Sequence, residues 1–184
     1  VSADLKSEIN KKIELAEMFM EKKETEKAMQ LFSELITSEL PKKEMGKAMC
    51  GLGKCLLELN RLDELEDFLS QLEDDLKNSS EIKELIDAKN FFSSILELAS
   101  SKPENSDSNT NPDGFENQLK SSRNFILERN YDNAVAGYLD IIEKNPKWND
   151  GVAKDELLRL FSFLGNSNNI TINGRSRLLN ILYK

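Results

Sequence analysis

Residues 130–146 read NYDNAVAGYLDIIEKNP, and this stretch decides the fold. Ala134, Val135, Tyr138, Leu139, Ile141 and Ile142 recur three and four apart, which lays an apolar stripe along one side of a helix. Small Ala134 permits a close helix crossing, and aromatic Tyr138, one turn later, fills the space beside it. Pro146 ends the helix, because proline disfavours helical backbone at the residue before it. Upstream, residues 115–128 carry a second stripe of Phe115, Leu119, Phe125, Ile126 and Leu127, and Asn130-Tyr131-Asp132 turns the chain between the two. The stretch is thus the second half of a helix pair.

The same grammar recurs towards the N-terminus. Ile9, Ile13, Leu15, Ala16, Phe19 and Met20 form one stripe over residues 7–21, and Ala28, Leu31, Phe32, Leu35 and Ile36 form the next, closed at Leu40-Pro41. A second pair is predicted over 45–59 and 63–76, turning at Asn60-Arg61-Leu62. A long helix follows over 80–100, capped by Ser80. Its apolar arc is broad enough to be covered from two sides. Residues 101–113, SKPENSDSNTNPD, hold two prolines and no apolar side chain, so they read as a loop or linker. After the pair at 115–144, a further helix over 150–164 ends at Gly165 as a left-handed cap, and a terminal helix runs over 173–183. The expected organisation is helix pairs plus the long third helix in 1–100, a linker in 101–113, and a helix pair with two further helices in 114–184, all one continuous repeat domain.

Helix pairs of about 34 residues resemble tetratricopeptide repeats. Ala134, Tyr138 and Pro146 satisfy the small, aromatic and proline positions of that pattern, and Ala28 with Phe32 matches it in the first pair. In the second pair Gly53 keeps the close crossing, while Leu65 and Leu69 replace the small and aromatic residues. The fold class expected is all-α, a tetratricopeptide-like helix-pair superhelix. The last part of the chain resembles one family more specifically. Residues 130–135, Leu139, Trp148-Asn149-Asp150-Gly151, Leu157, Phe161, Leu164-Gly165, Arg175-Ser176-Arg177-Leu178-Leu179 and Leu182-Tyr183 are similar in order and spacing to the C-terminal region of the bacterial thioredoxin-fold co-chaperones known as YbbN or CnoX. The resemblance implies an interaction module that binds unfolded or oxidation-sensitive client polypeptides and docks onto a chaperonin, with no cofactor, in a bacterial cytoplasm. That family carries a thioredoxin-fold domain upstream, and none of its motifs occurs here. Val1 in place of Met points to an internal cut in a longer protein. The alternative is a repeat scaffold or adaptor for an unrelated assembly.

Composition narrows the function classes. The 184 residues carry a formal net charge of -8 without a basic stripe, which disfavours nucleic acid, whose phosphates demand one. No apolar run is long enough to span a bilayer. Histidine, the commonest general base and metal ligand, is absent. No nucleophile stands beside a base in a recognisable pattern, so an enzyme is not expected. Cys50 and Cys55 lie about 140° apart around one helix and cannot pair without unwinding it. The acidic run from Glu58 to Asp75 lacks the ligand order of a calcium loop and reads as a solvated face, so no metal site is expected. Trp148 is expected to cover the junction after the third pair. Met18, Met20, Met29, Met45 and Met49 either fill the core or supply adaptable apolar surface.

The remaining candidates sit at the C-terminus. No acid follows Glu156, and Arg175, Arg177 and Lys184 make a basic end on an acidic chain. Leu178, Ile181 and Leu182 are expected to pack inward, while Arg175, Leu179 and Tyr183, four apart, line a neighbouring face. Arginine, leucine and tyrosine together suit an interface. The terminal helix is therefore nominated as the partner-docking element, with Arg177 adding steering charge.

Overall fold

The computed structural model describes residues 3–101 and 114–183. The expected linker at 101–113, apart from Ser101, and Lys184 lie outside the described residues. The described chain is all-α. Its helices are α1 (Ala3–Glu21), α2 (Thr25–Ile36), α3 (Lys42–Glu58), α4 (Leu62–Ser70), α5 (Asp74–Lys77), α6 (Ser80–Ser100), α7 (Phe115–Leu127), α8 (Tyr131–Lys144), α9 (Val152–Leu164) and α10 (Asn169–Leu182). It divides into two compact units, 1–90 and 91–184, and the boundary falls inside α6.

In the first unit α1, α2 and α3 pack on a core of Ile9, Ile13, Ala16, Ala28, Phe32, Leu35, Ala48 and Cys55. Ala28 and Phe32 are the small and aromatic positions read from the repeat, and both are buried. Two glycines of α3 set its approach to neighbours. A Cβ at Gly53 would fall 2.3 Å from Leu85 Cδ2 of α6, and one at Gly51 would fall 2.3 Å from Phe32 Cζ of α2. Gly53 was expected at the crossing within the second pair; Leu65 of α4 would lie 3.4 Å from its Cβ, and the tighter approach is to α6. Gly51 was not expected, because it belongs to no repeat position read from the sequence. The methionines divide: Met20 and Met29 pack against the core, while Met18 is exposed. The helix expected over 63–76 is broken into α4 and α5 at residues 71–73, where Lys77 Nζ donates to the carbonyl of Ser70 at 3.0 Å.

In the second unit, α7 and α8 pair around Ala134, Tyr138, Leu139, Ile141 and Ile142, all buried. The α7–α8 crossing is closest at Gly137, where a Cβ would lie 2.2 Å from Ser122 Oγ. Pro146 stands exposed just after α8, as the pattern required. Trp148 meets the Phe115 ring edge-on at 5.5 Å, covering the start of α7. The second half of α6 contributes Phe91, Phe92, Ile95 and Ala99 to this unit's interior. Phe163 of α9 stacks on Phe91 with centroids 4.7 Å apart, and the Arg129 guanidinium lies 3.6 Å over Phe92.

One feature repeats in all three helix pairs, and only Asn60, a residue that tolerates left-handed backbone, marked it in the sequence. Lys23, Asn60 and Arg129 each adopt left-handed backbone, with φ of 58°, 56° and 61°. In each turn the next amide reaches back to the helix just ended: Glu24 N to Phe19 O at 2.9 Å, Arg61 N to Leu56 O at 2.9 Å, and Asn130 N to Phe125 O at 2.8 Å. This is the Schellman arrangement, which satisfies carbonyls left open at a helix end. None of the three is glycine, the usual residue at this position. A β-carbon is disfavoured there, so Lys23→Gly is expected to stabilise the chain by up to about 1 kcal/mol. A melting temperature that stays put or falls would contradict this reading of the turn.

Three boundary expectations are corrected. The cap of α6 is Ser79, whose Oγ accepts from Ile82 N at 3.4 Å, and Ser80 is already helical. Gly165 has φ 84° and ψ 160°, an extended region that is essentially glycine's alone, and not the left-handed cap expected. The terminal helix begins at Asn169, four residues early, because Asn168 Oδ1 accepts from Ile170 N at 2.9 Å and caps what reads as polar loop.

Candidate protein-interaction surface

Capped by Asn168, α10 lies against α8 and α9. Its inward face is Thr171, Gly174 and Leu178, all buried. Gly174 permits the approach, since a Cβ there would fall 2.6 Å from Phe161 Cε1 and 3.3 Å from Val135 Cγ1. An adjoining flank is apolar and uncovered, while the side directly across the helix carries exposed Asn173, Ser176 and Asn180. Ile172 is 52% exposed, Leu179 54% and Tyr183 84%. Leu182, expected to pack inward, is 40% exposed, and Ile181 is half-buried. Leu182 shares the side of buried Leu178 but is the last residue of α10, where the helix ends.

The four nominated residues separate into two groups. Arg175, Leu179 and Tyr183 share the outer face, as their spacing required. Arg175 is held there, with Nη1 donating to Asn166 Oδ1 at 2.8 Å and its guanidinium 5.9 Å from the Phe161 ring. Arg177 lies on a different flank, where it lines a groove against α8. The helix carries no acidic residue, and exposed Ile172, Leu179 and Tyr183 have the positive charge of Arg175 beside them.

Beneath this surface, four helices are tied by a buried polar network that sequence reading missed. Arg123 of α7 donates to both oxygens of Glu156 of α9, at 3.0 and 2.6 Å. Tyr138 of α8 donates its hydroxyl to Glu156 Oε2 at 2.9 Å, and Arg123 Nη1 donates to the Leu98 carbonyl of α6 at 3.0 Å. Burial, together with the carboxylate beside it, pushes the Tyr138 phenol upward, so the hydroxyl stays a donor. Arg123 follows Ser121-Ser122 and Glu156 follows Lys154-Asp155, so both read as surface charges, and only the tertiary fold brings them together.

Cys50 Sγ lies 3.7 Å from the Glu81 carbonyl and Cys55 Sγ lies 3.2 Å from Met20 Sδ, both buried. Burial raises the Cys50 thiol and pushes Cys55 up to about 12, which keeps both protonated. Ellman's reagent at neutral pH should therefore find no fast thiol in the folded chain and two after denaturation. A thiol titrating in seconds without denaturant would overturn this. The acidic run is exposed throughout, and Asp75 and Glu66 pair with Lys42 at 2.7 Å and Lys89 at 2.6 Å. Among the described residues, no cluster of three acidic or cysteine side chains could hold a metal. No described helix is long and apolar enough to cross a membrane.

The comparisons with known proteins bear on the second unit above all. The profile of a family described as tetratricopeptide repeat matches residues 100–183, the span of α7 to α10. A solved structure of a domain of protein VP0806, of unknown function, from Vibrio parahaemolyticus RIMD 2210633 is 21% identical, with 95% of this chain and 99% of that one covered and a TM-score of 0.39. No curated protein matches the chain. The helix pairs of the described chain and the profile match agree on the fold: an all-α protein built of tetratricopeptide-like helix pairs.

Proposed function

We propose that the chain is the protein-interaction region of a thioredoxin-fold co-chaperone of bacterial cytoplasm, which binds unfolded or oxidation-sensitive clients and docks onto a chaperonin. Two supports are general. Tetratricopeptide-like helix pairs serve protein binding, and the C-terminal motifs resemble that co-chaperone family. The observation that carries the reading is the outer face of α10. Ile172, Leu179 and Tyr183 leave large apolar surface in water on a helix whose inward side is already satisfied. Arg175 fixes a positive charge beside them, and Arg177 adds a second on the flank. This is an anchor-and-charge arrangement suited to an acidic, partly apolar partner surface.

The test is binding to a purified bacterial chaperonin. The full chain should bind, and Leu179→Glu or Tyr183→Ala should weaken binding by about tenfold or more, as central anchors do. Both side chains are exposed, so circular dichroism should be unchanged. Undiminished binding by both variants would remove α10 as the docking element. A full chain that does not bind the chaperonin at all would leave the scaffold reading in its place.

A further inference from the structure

Within each unit the second helix of a pair is covered by the helix that follows it: α3 lies against α2, and α9 against α8. Among the described residues no helix follows α10. A bare terminal helix of a repeat array is expected to turn a polar side to water. One flank of α10 is apolar instead. Ile172, Arg175, Leu179, Leu182 and Tyr183 recur three and four apart along it, and the four apolar ones are at least 40% exposed. The stripe runs about 16 Å along the helix. It lies on the α9 side. Arg177 stands beside α8, whereas Arg175, about 160° around the helix from it, reaches Asn166 and the Phe161 ring. From α9, Leu158 joins the same seam. It is 39% exposed and stands three residues before Phe161, which meets Gly174 of α10, so both project to one side. Arg175 bonds to a neutral amide oxygen and α10 carries no acid, so no carboxylate of the helix offsets its charge.

We propose that an amphipathic helix of a protein partner docks lengthwise along this seam, where the next helix of a repeat would stack, with an acidic side chain beside its apolar stripe reaching Arg175. This rests on the reading of the chain as a protein-interaction module and gives the contact its form. Both α9 and α10 pair their own amides, so an extended segment laid on them would find no main-chain partners along the seam. A helix brings its amides already paired, and its side chains three and four apart interleave with a stripe of the same spacing. About three turns span the 172–183 stripe. A basic residue in place of the acid would meet Arg175 with like charge, which is disfavoured.

The full chain is titrated with three synthetic helical peptides. One has leucines at every third or fourth residue and a glutamate beside them. The second has lysine for that glutamate. The third has the composition of the first with its leucines spread around the helix. Methyl NMR locates binding and calorimetry gives affinity. The first peptide should bind tightest, with shifts at Leu158 of α9 together with Ile172, Leu179 and Leu182 of α10. Lysine should weaken binding about fivefold, and spread leucines about tenfold or more. In Arg175→Glu, with circular dichroism unchanged, preference should pass to the lysine peptide. Equal or absent binding of the striped and spread peptides would overturn the proposal, as would a charge preference unchanged in the variant. Shifts confined to α10, with none at Leu158, would overturn it too. So would a chain that sediments as a dimer and loses that dimer in Leu179→Glu, since a second copy would then be the occupant. Chaperonin binding that persists alongside any of these failures leaves the interaction-module reading standing, and its loss removes both.

Discussion

Glu156→Ala is expected to destabilise the second unit by about 3–5 kcal/mol, the loss typical when one partner of a buried ion pair is removed. Glu156 is 4% exposed and receives three hydrogen bonds, two from Arg123 and one from Tyr138. Its removal leaves the Arg123 guanidinium, with a side chain 13% exposed, holding only the Leu98 carbonyl, and strands the Tyr138 hydroxyl. Tyr138→Phe, which deletes one hydrogen bond and keeps the ring, should cost only about 1 kcal/mol. Replacing both charged partners, Arg123→Met with Glu156→Leu, should recover much of the loss, because the buried charge goes with its partner. Urea unfolding checks all three. The transition of the second unit should move to lower urea for Glu156→Ala, and equal midpoints for Glu156→Ala and Tyr138→Phe would contradict the network.

Ala134→Leu is the second large effect. Ala134 is fully buried in α8, one turn before Tyr138. The larger side chain enters a contact already tightened by Gly137 against Ser122, and overpacking of this kind costs about 1–3 kcal/mol. An unchanged melting temperature would argue against a small-residue crossing in this pair.

These two sites show what was legible and what was not. Ala28, Phe32, Gly53, Ala134 and Tyr138 were readable because packing between neighbouring helices imposes small and large residues at fixed spacing. All five are buried where the repeat pattern places them. Glu156 was not readable as a network member, because an acid on an apolar helix looks like any solvent-facing acid until α7 brings Arg123 to it. The turns at Lys23 and Arg129 were hidden for another reason: hydrogen bonds to the preceding helix hold a left-handed residue that composition does not mark. On α10 the split of Leu178 inward and Leu179 outward followed from spacing. The exposure of Leu182 did not, since spacing sets it one turn after buried Leu178 and only the end of the helix leaves it 40% exposed.

Hydrogen–deuterium exchange on the full chain, with and without a purified bacterial chaperonin, tests directly whether the chain binds protein through the exposed apolar face of α10. Slowed exchange is expected across residues 175–183, centred on Leu179, with α4 and α5 unaffected. Exchange in α10 that is unchanged when the chaperonin is bound, or protection confined to other helices, would contradict it.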